Sequence, residues 1–315
     1  MKGPRVVLLV TACALLGPFG AAAATLQVSS ARDSGRGTLR AAIEAANTAP
    51  GSTIQVELGT DSEIVVDRAL PALSARGTHL EGGGATLRQG DGCRRPGGHE
   101  GCDGIVVAAP DVVVRDLRIV GFTFDGVSVV GRAAADVRIE RVQAIDNLDD
   151  GVGVSAGAGP ALIEDCLLMG NGFRTKGKGL LVFDGSRATL RDSVAVANRD
   201  GVTVTRGSRA TLERVMVAGS YDKGVGVSAA TLSADAVQLL GNGPDTGASG
   251  PAPNGDGLRV GLGGDAELSN CRIAGSGDAG VVVLDTSTVT LRGCVVEANH
   301  GVQTMVSPSG RLSRR

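Results

Sequence analysis

The chain repeats one short motif nine times between residues 104 and 301: a glycine, an aliphatic residue, one variable position and then usually valine. The repeats begin at Gly104, Gly126, Gly151, Gly179, Gly201, Gly224, Gly257, Gly280 and Gly301. Successive starts lie between 21 residues (Gly280 to Gly301) and 33 residues (Gly224 to Gly257) apart. A repeat of this length is typical of a solenoid, in which each unit buries its apolar face only against its neighbours.

The apolar residues inside each unit alternate with polar or small ones, which is the period of a β-strand. In the unit that begins at Gly201 the apolar positions are Val202, Val204, Leu212, Val215 and Val217. They form three segments separated by turn residues, so each unit predicts three strands of about three to five residues. One unit is therefore one coil of a parallel β-helix, paired with the next at about 4.8 Å. The helical segment and leucine pattern of leucine-rich repeats are not evident in the sequence.

The composition favours a narrow coil interior with hydrogen-bonded turns. There are 49 Gly, one Tyr, five Phe and no Trp, while valine and alanine fill the apolar positions. Stacked aliphatic side chains fit such an interior, and glycine allows positive φ in its turns. Asparagines lie a few residues before a following unit or its loop, at Asn147, Asn171, Asn198, Asn242 and Asn299. We expect a ladder of buried amides that hydrogen-bond from coil to coil.

The first residues have the pattern of a secretory signal. Residues 1–24 contain two cations, an apolar core, Pro18 and then small residues, which predicts cleavage near Ala23 or Ala24 and a secreted, periplasmic or extracellular location. The stretch ending at Cys13 resembles a lipoprotein motif, but the residues after it remain apolar, so we favour the secretory signal. No other segment is long enough to span a membrane. The formal net charge is −2, which gives no electrostatic reason to expect nucleic acid as a partner.

The chain after the signal divides into four parts: a cap with a helix over 25–52, irregular first coils with a cysteine loop over 53–103, regular coils over 104–305 and a tail over 306–315. We expect one elongated body of about ten to twelve coils, near 50–55 Å long at the usual inter-strand spacing. The cations Arg311, Arg314 and Arg315 discourage strand addition at the C-terminal edge, and we expect a monomer.

Cys93 and Cys102 lie in a loop rich in glycine, arginine and proline. In an exported protein this spacing predicts a local disulfide. Closing so short a loop would stabilise the fold by roughly 2.5–3 kcal/mol in the chain-entropy model. The alternative is a metal site of Cys93, His99, Cys102 and Asp103, but its spacing matches no common zinc pattern. We therefore expect the disulfide and no bound metal.

Three further cysteines occupy matched positions in their units. Cys271 and Cys294 lie 14 residues after Gly257 and Gly280, and Cys166 lies 15 residues after its own repeat glycine. Such a pattern indicates small side chains stacked inside the coil. The pattern leaves open whether Cys271 and Cys294 are bonded to each other.

A helix is predicted only near the start of the mature chain. Leu39, Ala42, Ile43 and Ala46 share one face, Arg40 and Glu44 are expected to form an i,i+4 ion pair, and Pro50-Gly51 ends the run. A helix laid across the first coil would protect its strand edges. The segment D33-S-G-R-G-T-L-R-A-A-I-E-A-A-N47 resembles the N-terminal motif of secreted bacterial right-handed β-helix repeat proteins, within the pectate lyase and polygalacturonase-like superfamily. The resemblance implies an all-β fold, a single-stranded right-handed parallel β-helix with a short N-terminal capping helix. That group includes surface and adhesin-like proteins.

The residue before each repeat glycine should form a column along one edge of the stack. Its members are Asp103, Asp125, Asp150, Lys178, Asp200, Lys223, Asp256, Ala279 and His300, with Asp149, Arg199 and Asp222 one position earlier. Two long insertions, 171–178 and 242–256, emerge at the same turn. Long loops on one edge of a solenoid commonly form its binding face. We expect a polysaccharide or another cell-surface partner to bind there, contacting Phe173, Arg199, Asp200, Tyr221, Asp222 and Lys223.

A second resemblance raises the alternative of an enzyme. Polygalacturonase-type enzymes carry N-x-D-G, a D-D pair and G-H-G on successive coils; here Asp125, then Asp149 and Asp150, then Lys178 take these places. This implies glycoside hydrolysis by two carboxyl groups. The other chemistry is β-elimination from a uronate by Lys178, Lys223 or Arg199, with calcium held by nearby aspartates.

Several features argue against catalysis. Lys178 replaces the histidine, no R-x-K follows, there is no tryptophan, and Asp-Gly is common in turns. We therefore favour binding without turnover and without a cofactor, with an adhesin-like scaffold as a further alternative. As members of an exposed column, Asp149 and Asp150 should tolerate double replacement by alanine with a melting temperature within a few degrees of the parent.

Overall fold

The computed structural model describes residues 22–93, 101–172, 176–243 and 255–315. They form a parallel β-solenoid of about 11 turns, which confirms the predicted right-handed β-helix. Within these residues each turn contributes up to three strands, one to each of three parallel sheets. We label the three sheets A, B and C and give their strands below. In each regular coil the chain passes from sheet C to sheet A and then to sheet B, and it returns to sheet C in the next coil.

Sheet A runs the whole length of the described stack. Its strands are β1 (Thr25–Val28), β2 (Thr53–Val56), β4 (His79–Glu81), β7 (Val113–Arg115), β10 (Val137–Glu140), β13 (Ala161–Glu164), β16 (Arg187–Arg191), β19 (Arg209–Glu213), β22 (Thr231–Asp235), β25 (Asp265–Ser269), β28 (Thr288–Arg292) and β31 (Arg311–Arg314).

Sheet B follows sheet A in each coil. Its strands are β3 (Glu63–Val66), β5 (Thr86–Gln89), β8 (Arg118–Val120), β11 (Gln143–Ile145), β14 (Leu167–Met169), β17 (Val194–Val196), β20 (Met216–Ala218), β23 (Gln238–Leu240), β26 (Arg272–Ala274) and β29 (Val295–Glu297).

Sheet C carries the repeated glycine motif. Its strands are β6 (Ile105–Val107), β9 (Val127–Val130), β12 (Val152–Ser155), β15 (Lys178–Val182), β18 (Asp200–Thr205), β21 (Val225–Ser228), β24 (Leu258–Gly261), β27 (Val281–Val283) and β30 (Thr304–Val306).

The core is a stack of identical inward positions. Val202 pairs in register with Val225 in sheet C, and Val217 pairs with Leu239 in sheet B; all four side chains are buried. Full burial of one such side chain stabilises the fold by about 1.5–3 kcal/mol relative to exposure. Because every coil repeats the same inward positions, one continuous apolar core runs along the solenoid.

The N-terminal coil is covered by the helix α1 (Leu39–Ala46), whose buried face packs on β1 and β2. Thr38 caps it, its hydroxyl accepting the Ala41 N–H at 3.3 Å. Arg40 donates to Asp33 at 2.6 Å, so the expected pair with Glu44 is wrong. Burial acts to raise the pKa of Asp33, but the hydrogen bond and charge of Arg40 hold it below its usual value. The Asp and Arg of the N-terminal motif therefore tie the cap together.

The predicted asparagine ladder is confirmed over three coils. Asn147 Nδ2 donates to Asn171 Oδ1 at 3.0 Å, and Asn171 Nδ2 donates to Asn198 Oδ1 at 3.0 Å. The ladder is interrupted where the chain has Ser220 and Ser276; the hydroxyls of both serines are buried without a hydrogen-bond partner among the described residues. The repeat period predicted the stacking of the amides, but not these two interruptions.

The cysteines divide as two bonded pairs and one thiol within the described residues. The predicted Cys93–Cys102 disulfide is confirmed. A second disulfide joins Cys271 to Cys294 on successive coils, which settles the alternative that the sequence left open. Cys166 is a buried thiol whose pKa is raised to about 12 by burial. The metal alternative included His99, which lies outside the described residues.

The last coil begins two residues later than the sequence predicts. The Gly280 N–H donates to the Val302 carbonyl at 3.0 Å, as earlier repeat glycines donate to the next member of the column. Val302 therefore takes the position predicted for His300, and Gln303 takes that of a repeat glycine. Gln303 Oε1 also accepts Asn299 Nδ2 at 2.7 Å, so it supplies the contact that another coil's asparagine would supply. In the described part of the chain, no helix has the length and hydrophobicity to cross a membrane.

Candidate functional site

The predicted aspartate column lies where sheet B turns into sheet C, and hydrogen bonds link its members from coil to coil. Oδ1 of Asp103 accepts the Asp125 N–H at 3.0 Å, and Oδ1 of Asp125 accepts the Asp150 N–H at 3.1 Å. Oδ1 of Asp150 accepts the Lys178 N–H at 2.7 Å. Each carboxyl group therefore satisfies a backbone donor of the following coil. We call this line of residues the B–C edge.

Asp125 and Asp150 are the most perturbed acids of the B–C edge. Asp150 is 3% exposed, and burial followed by the charge of Asp149 raises its pKa to about 7, although Lys178 opposes the shift. Burial followed by the charges of Asp150 and Asp103 raises the pKa of Asp125 well above its usual value. Burial and mutual repulsion therefore favour the protonated forms of Asp125 and Asp150.

A glycine makes room for Asp125. The residue in the middle of β12 is Gly153, and a Cβ there would collide with Oδ2 of Asp125. The carboxyl group therefore lies on the outer face of sheet C and is only half-buried. Asp149, on the next coil, is also half-buried. These two acids are the accessible part of the acidic cluster.

The expectation that the aspartates of the column are exposed is wrong for three of them. Asp150, Asp200 and Asp256 are 3%, 6% and 0% exposed. Asp256 Oδ1 accepts the Ala279 N–H at 3.2 Å, as Asp150 does for Lys178. A buried side chain that serves the backbone stabilises the fold, so the double replacement of Asp149 and Asp150 by alanine should destabilise it.

Basic side chains pair with the aspartates in the later coils of the edge. Lys223 Nζ lies 3.2 Å from Asp200 and 3.1 Å from Asp222. Its stem crosses Gly226, where a Cβ would stand 2.9 Å from the Lys223 Cε. Burial raises the pKa of Asp200, against the opposing charge of Lys223. The lysine therefore compensates two carboxylates on the outer face of sheet C.

The accessible groups of the edge are aromatic and cationic. Tyr221 is 40% exposed and Phe124 is 38% exposed. The Arg199 guanidinium lies over the Tyr221 ring, 5.3 Å from its centroid, and Lys178 is half-buried beside Asp150. Phe124 and Tyr221 stand four coils apart, about 19 Å at the usual strand spacing. Phe173 and most of the two insertions lie outside the described residues.

The floor of the edge is formed by residues that the sequence analysis missed. Arg259 projects from β24 and donates to Asp256 at 2.6 Å. It occupies the variable position of the repeat motif, as do Gly153, Thr203 and Gly226, and strand register places these positions in one outward row. The variable position was the available signal, because a strand's outward residues are not constrained by the core.

The acids of the edge do not provide a metal site. Among the described residues, no group of three or more His, Cys, Asp or Glu is arranged to hold a metal ion. Oδ1 of Asp103, Asp125 and Asp150 each accepts a backbone N–H, whereas Ca²⁺ needs six to eight oxygen ligands turned toward it. The residues present therefore do not fit the calcium ion that lyase chemistry would use.

Solved structures share this architecture. Pectate lyase Pel9A superposes with a TM-score of 0.54 at 14% identity, over 92% of this chain and 78% of that one. The A-module of the mannuronan C-5 epimerase AlgE4 from Azotobacter vinelandii gives 0.55 at 16% identity, over 93% and 100%. Tailspike protein 2 of the Escherichia coli O157:H7 bacteriophage CAB120 gives 0.52 at 12% identity, over 81% and 40%. No protein-family model and no curated protein sequence matches the chain. These likenesses show a shared right-handed β-helix fold.

Proposed function

We propose that this is an exported β-helix protein that binds a polysaccharide along the B–C edge. The observation that carries the proposal is the row of accessible groups on a hydrogen-bonded edge. Tyr221, Phe124, Arg199 and Lys178 reach solvent, while the buried aspartates between them fix the backbone. Such an edge presents side chains in a fixed order to a long ligand. Because these side chains are already held in place, binding would require no conformational change of the solenoid.

The side chains suit a sugar chain that bears acidic groups. An aromatic ring offers an apolar face with a polar hydroxyl, and the Arg199 guanidinium above Tyr221 can form two hydrogen bonds with one carboxylate. Lys178 adds a second cation on the preceding coil. The names of two proteins that share the fold, a pectate lyase and a mannuronan C-5 epimerase, refer to polysaccharides and support the same class of ligand.

The N-terminal sequence and the cysteines support an exported location. Residues 1–24 have the secretory pattern, and two disulfides suit an oxidising compartment outside the cytosol. We propose that the protein acts in the periplasm, at the cell surface or in the medium.

A polysaccharide-degrading enzyme is the second candidate, and one observation favours it. Asp125 is only half-buried and has a raised pKa, as a general acid for glycoside cleavage requires. Asp149 on the next coil would be the accessible partner carboxylate. Either cleavage would produce new reducing ends, but only β-elimination by Lys178 would also leave an unsaturated sugar at the other new end.

The test is a screen of the purified protein against polysaccharides that records binding, reducing ends and unsaturated products together. We expect binding of an acidic polysaccharide without products. Tyr221→Ala and Arg199→Ala should each weaken it about tenfold, the loss of one good contact of about 1.4 kcal/mol. Leu262→Ala, which removes an exposed apolar side chain at another corner, should leave it unchanged.

The outcomes separate the candidates. Products that disappear in Asp125→Asn would establish the enzyme. Binding that is unchanged by both edge variants would show that the polysaccharide lies elsewhere and would reject the B–C edge.

A further inference from the structure

Arginines on sheet A and its flanking turns mostly lie in ion pairs. Arg191 pairs with Glu164 on the neighbouring strand at 2.6 Å, and Arg292 pairs with Glu267 at 2.8 Å. Four arginines near the turn from sheet C to sheet A differ, because none has an ion pair with any residue that the structure describes. They are Arg132, Arg187, Arg206 and Arg209. We call this group the arginine corner.

The arginine corner gathers like charges on successive coils. Arg187 and Arg209 are direct partners in the register of β16 and β19, so their Cα atoms stand about 4.8 Å apart across the strands. Arg206 lies in the turn before β19, with its guanidinium 5.3 Å from the centroid of the Phe183 ring. Like charges directly opposite on neighbouring strands are destabilising. The fold retains this arrangement although acidic partners accompany arginines elsewhere on the sheet.

A groove of about 480 Å³ opens at the same corner, lined by Arg132, Arg187, Asp184 and the backbone of 156–159 and 185. The Arg132 stem lies against Gly157, where a Cβ would be 2.9 Å from its Cγ. A Cβ at Gly185 would meet nothing within 4 Å, so the backbone is open to a ligand there. One exposed carboxylate, Asp184, lines the groove beside Arg132 and Arg187.

Another groove, of about 770 Å³, lies where sheet A turns into sheet B. Three of its charged residues are already in ion pairs: Arg141 pairs with Asp116 at 2.7 Å, and Glu81 pairs with Arg115. A ligand there would have to displace those pairs. The arginine corner, by contrast, offers guanidinium groups that have no ion pair within the part of the chain that the structure describes.

We propose that the arginine corner is a second ligand site, which binds a linear anionic polysaccharide through its carboxylate or sulfate groups. Guanidinium groups bind such oxyanions with two parallel hydrogen bonds, and bound anions would relieve the repulsion between Arg187 and Arg209. The arginines span the coils that begin at Gly126 and Gly201, about 14 Å along the solenoid, which favours a chain with repeated charges over a single small anion. The site lies on a different corner from the B–C edge, so it does not depend on binding there.

The experiment measures binding of dextran sulfate and of polygalacturonate by calorimetry, with neutral dextran as the reference. The double variant Arg187→Ala/Arg209→Ala should bind at least one of the anionic polymers about tenfold or more weakly than the parent, because it removes two charged hydrogen-bond donors. The matched control is Arg191→Ala/Arg292→Ala, which removes two arginines that are paired with glutamates on sheet A. It changes the net charge equally and should alter the affinity less than about twofold. Arg132→Ala gives an independent variant if the double variant melts early.

Three results would overturn the proposal. They are no binding of either anionic polymer by the parent, equal losses in the double variant and its control, and tighter binding of duplex DNA or of anionic lipid vesicles than of the polysaccharides. The double variant Tyr221→Ala/Arg199→Ala distinguishes binding at the arginine corner from binding at the B–C edge. That variant should retain the binding that Arg187→Ala/Arg209→Ala loses, so either site can fail alone.

Discussion

Replacing Asn198 by alanine should be among the most destabilising single changes in this protein. Its side chain is fully buried and makes three hydrogen bonds. Oδ1 accepts the Asn171 N–H at 2.9 Å and Asn171 Nδ2 at 3.0 Å, and Nδ2 donates to the Leu168 carbonyl at 2.8 Å. Alanine would leave these three partner groups in a space without solvent.

The magnitude follows from the unsatisfied groups. Each buried polar group left without a partner costs about 1–3 kcal/mol. Asn171 Nδ2 keeps a hydrogen bond to the Ala144 carbonyl at 3.0 Å, so its loss is partial. We therefore expect a fall of about 3–6 kcal/mol in the free energy of unfolding, and a melting temperature lower by about 5–10 °C.

Urea unfolding, with linear extrapolation of the free energy to water, measures the change. Asn270→Ala is the matched control, because this turn asparagine makes its side-chain hydrogen bond to Asp235 at an exposed site. It should cost about 1 kcal/mol or less. Similar losses in the two variants, or a loss below about 1 kcal/mol in Asn198→Ala, would refute the role of the ladder.

Three further predictions address the acids, the ladder and the cysteines. The pKa of about 7 for Asp150 in the folded protein lies above the ordinary carboxyl value of 3.8. The protonated Asp150 therefore contributes its full stabilisation of the fold below pH 4. This contribution to the free energy of unfolding, at most about 4 kcal/mol, is lost as the pH rises to 7. Asp150→Asn should flatten this fall in melting temperature between pH 4 and 7 while Asp125 still titrates; an unchanged profile would contradict the shift. Ser220→Asn should raise stability by about 1 kcal/mol because it rejoins the amide ladder, and a loss in urea unfolding would show that the site has no room. Mass spectrometry of the exported, unreduced protein should show a first residue of Ala24 or Thr25 and peptides linked through Cys93–Cys102 and Cys271–Cys294; free thiols there or a lipid on Cys13 would oppose it.

The sequence was sufficient for the architecture, because each coil repeats the same inward positions. The spacing from Gly201 to Gly224 determines which residues stack, and stacking determines the ladder and the column. The last coil departs from the repeat, and Gln303 accepts the Asn299 amide where a further asparagine would do so in an inner coil. This contact occurs only at the end of the stack, so the repeat spacing could not predict it. Arg40 likewise pairs with Asp33 and not with Glu44, because the fold of the cap brings Asp33 beside it.

The site was less accessible to prediction, because a column of identical residues does not reveal how its side chains turn. Asp125 and Asp150 each accept a backbone N–H of the following coil, but Asp125 also lies over Gly153 and is half-buried, whereas Asp150 is buried. The deciding residue was Gly153 in the variable position. The repeat motif does not restrict the residue at this position. The space above Gly153 that holds the Asp125 carboxyl group exists only because two neighbouring coils lie side by side.

The most direct test of the B–C edge is hydrogen exchange of the protein with and without the polysaccharide that the screen identifies. Binding along the edge should slow exchange in peptides covering 121–130, 176–182 and 199–228, which contain Phe124, Lys178, Arg199 and Tyr221. In Arg199→Ala/Tyr221→Ala that protection should disappear while any protection at 156–159 and 185–187 persists. Protection confined to the arginine corner or to the outer face of sheet A, with none along 121–130 and 199–228, would contradict the proposed function.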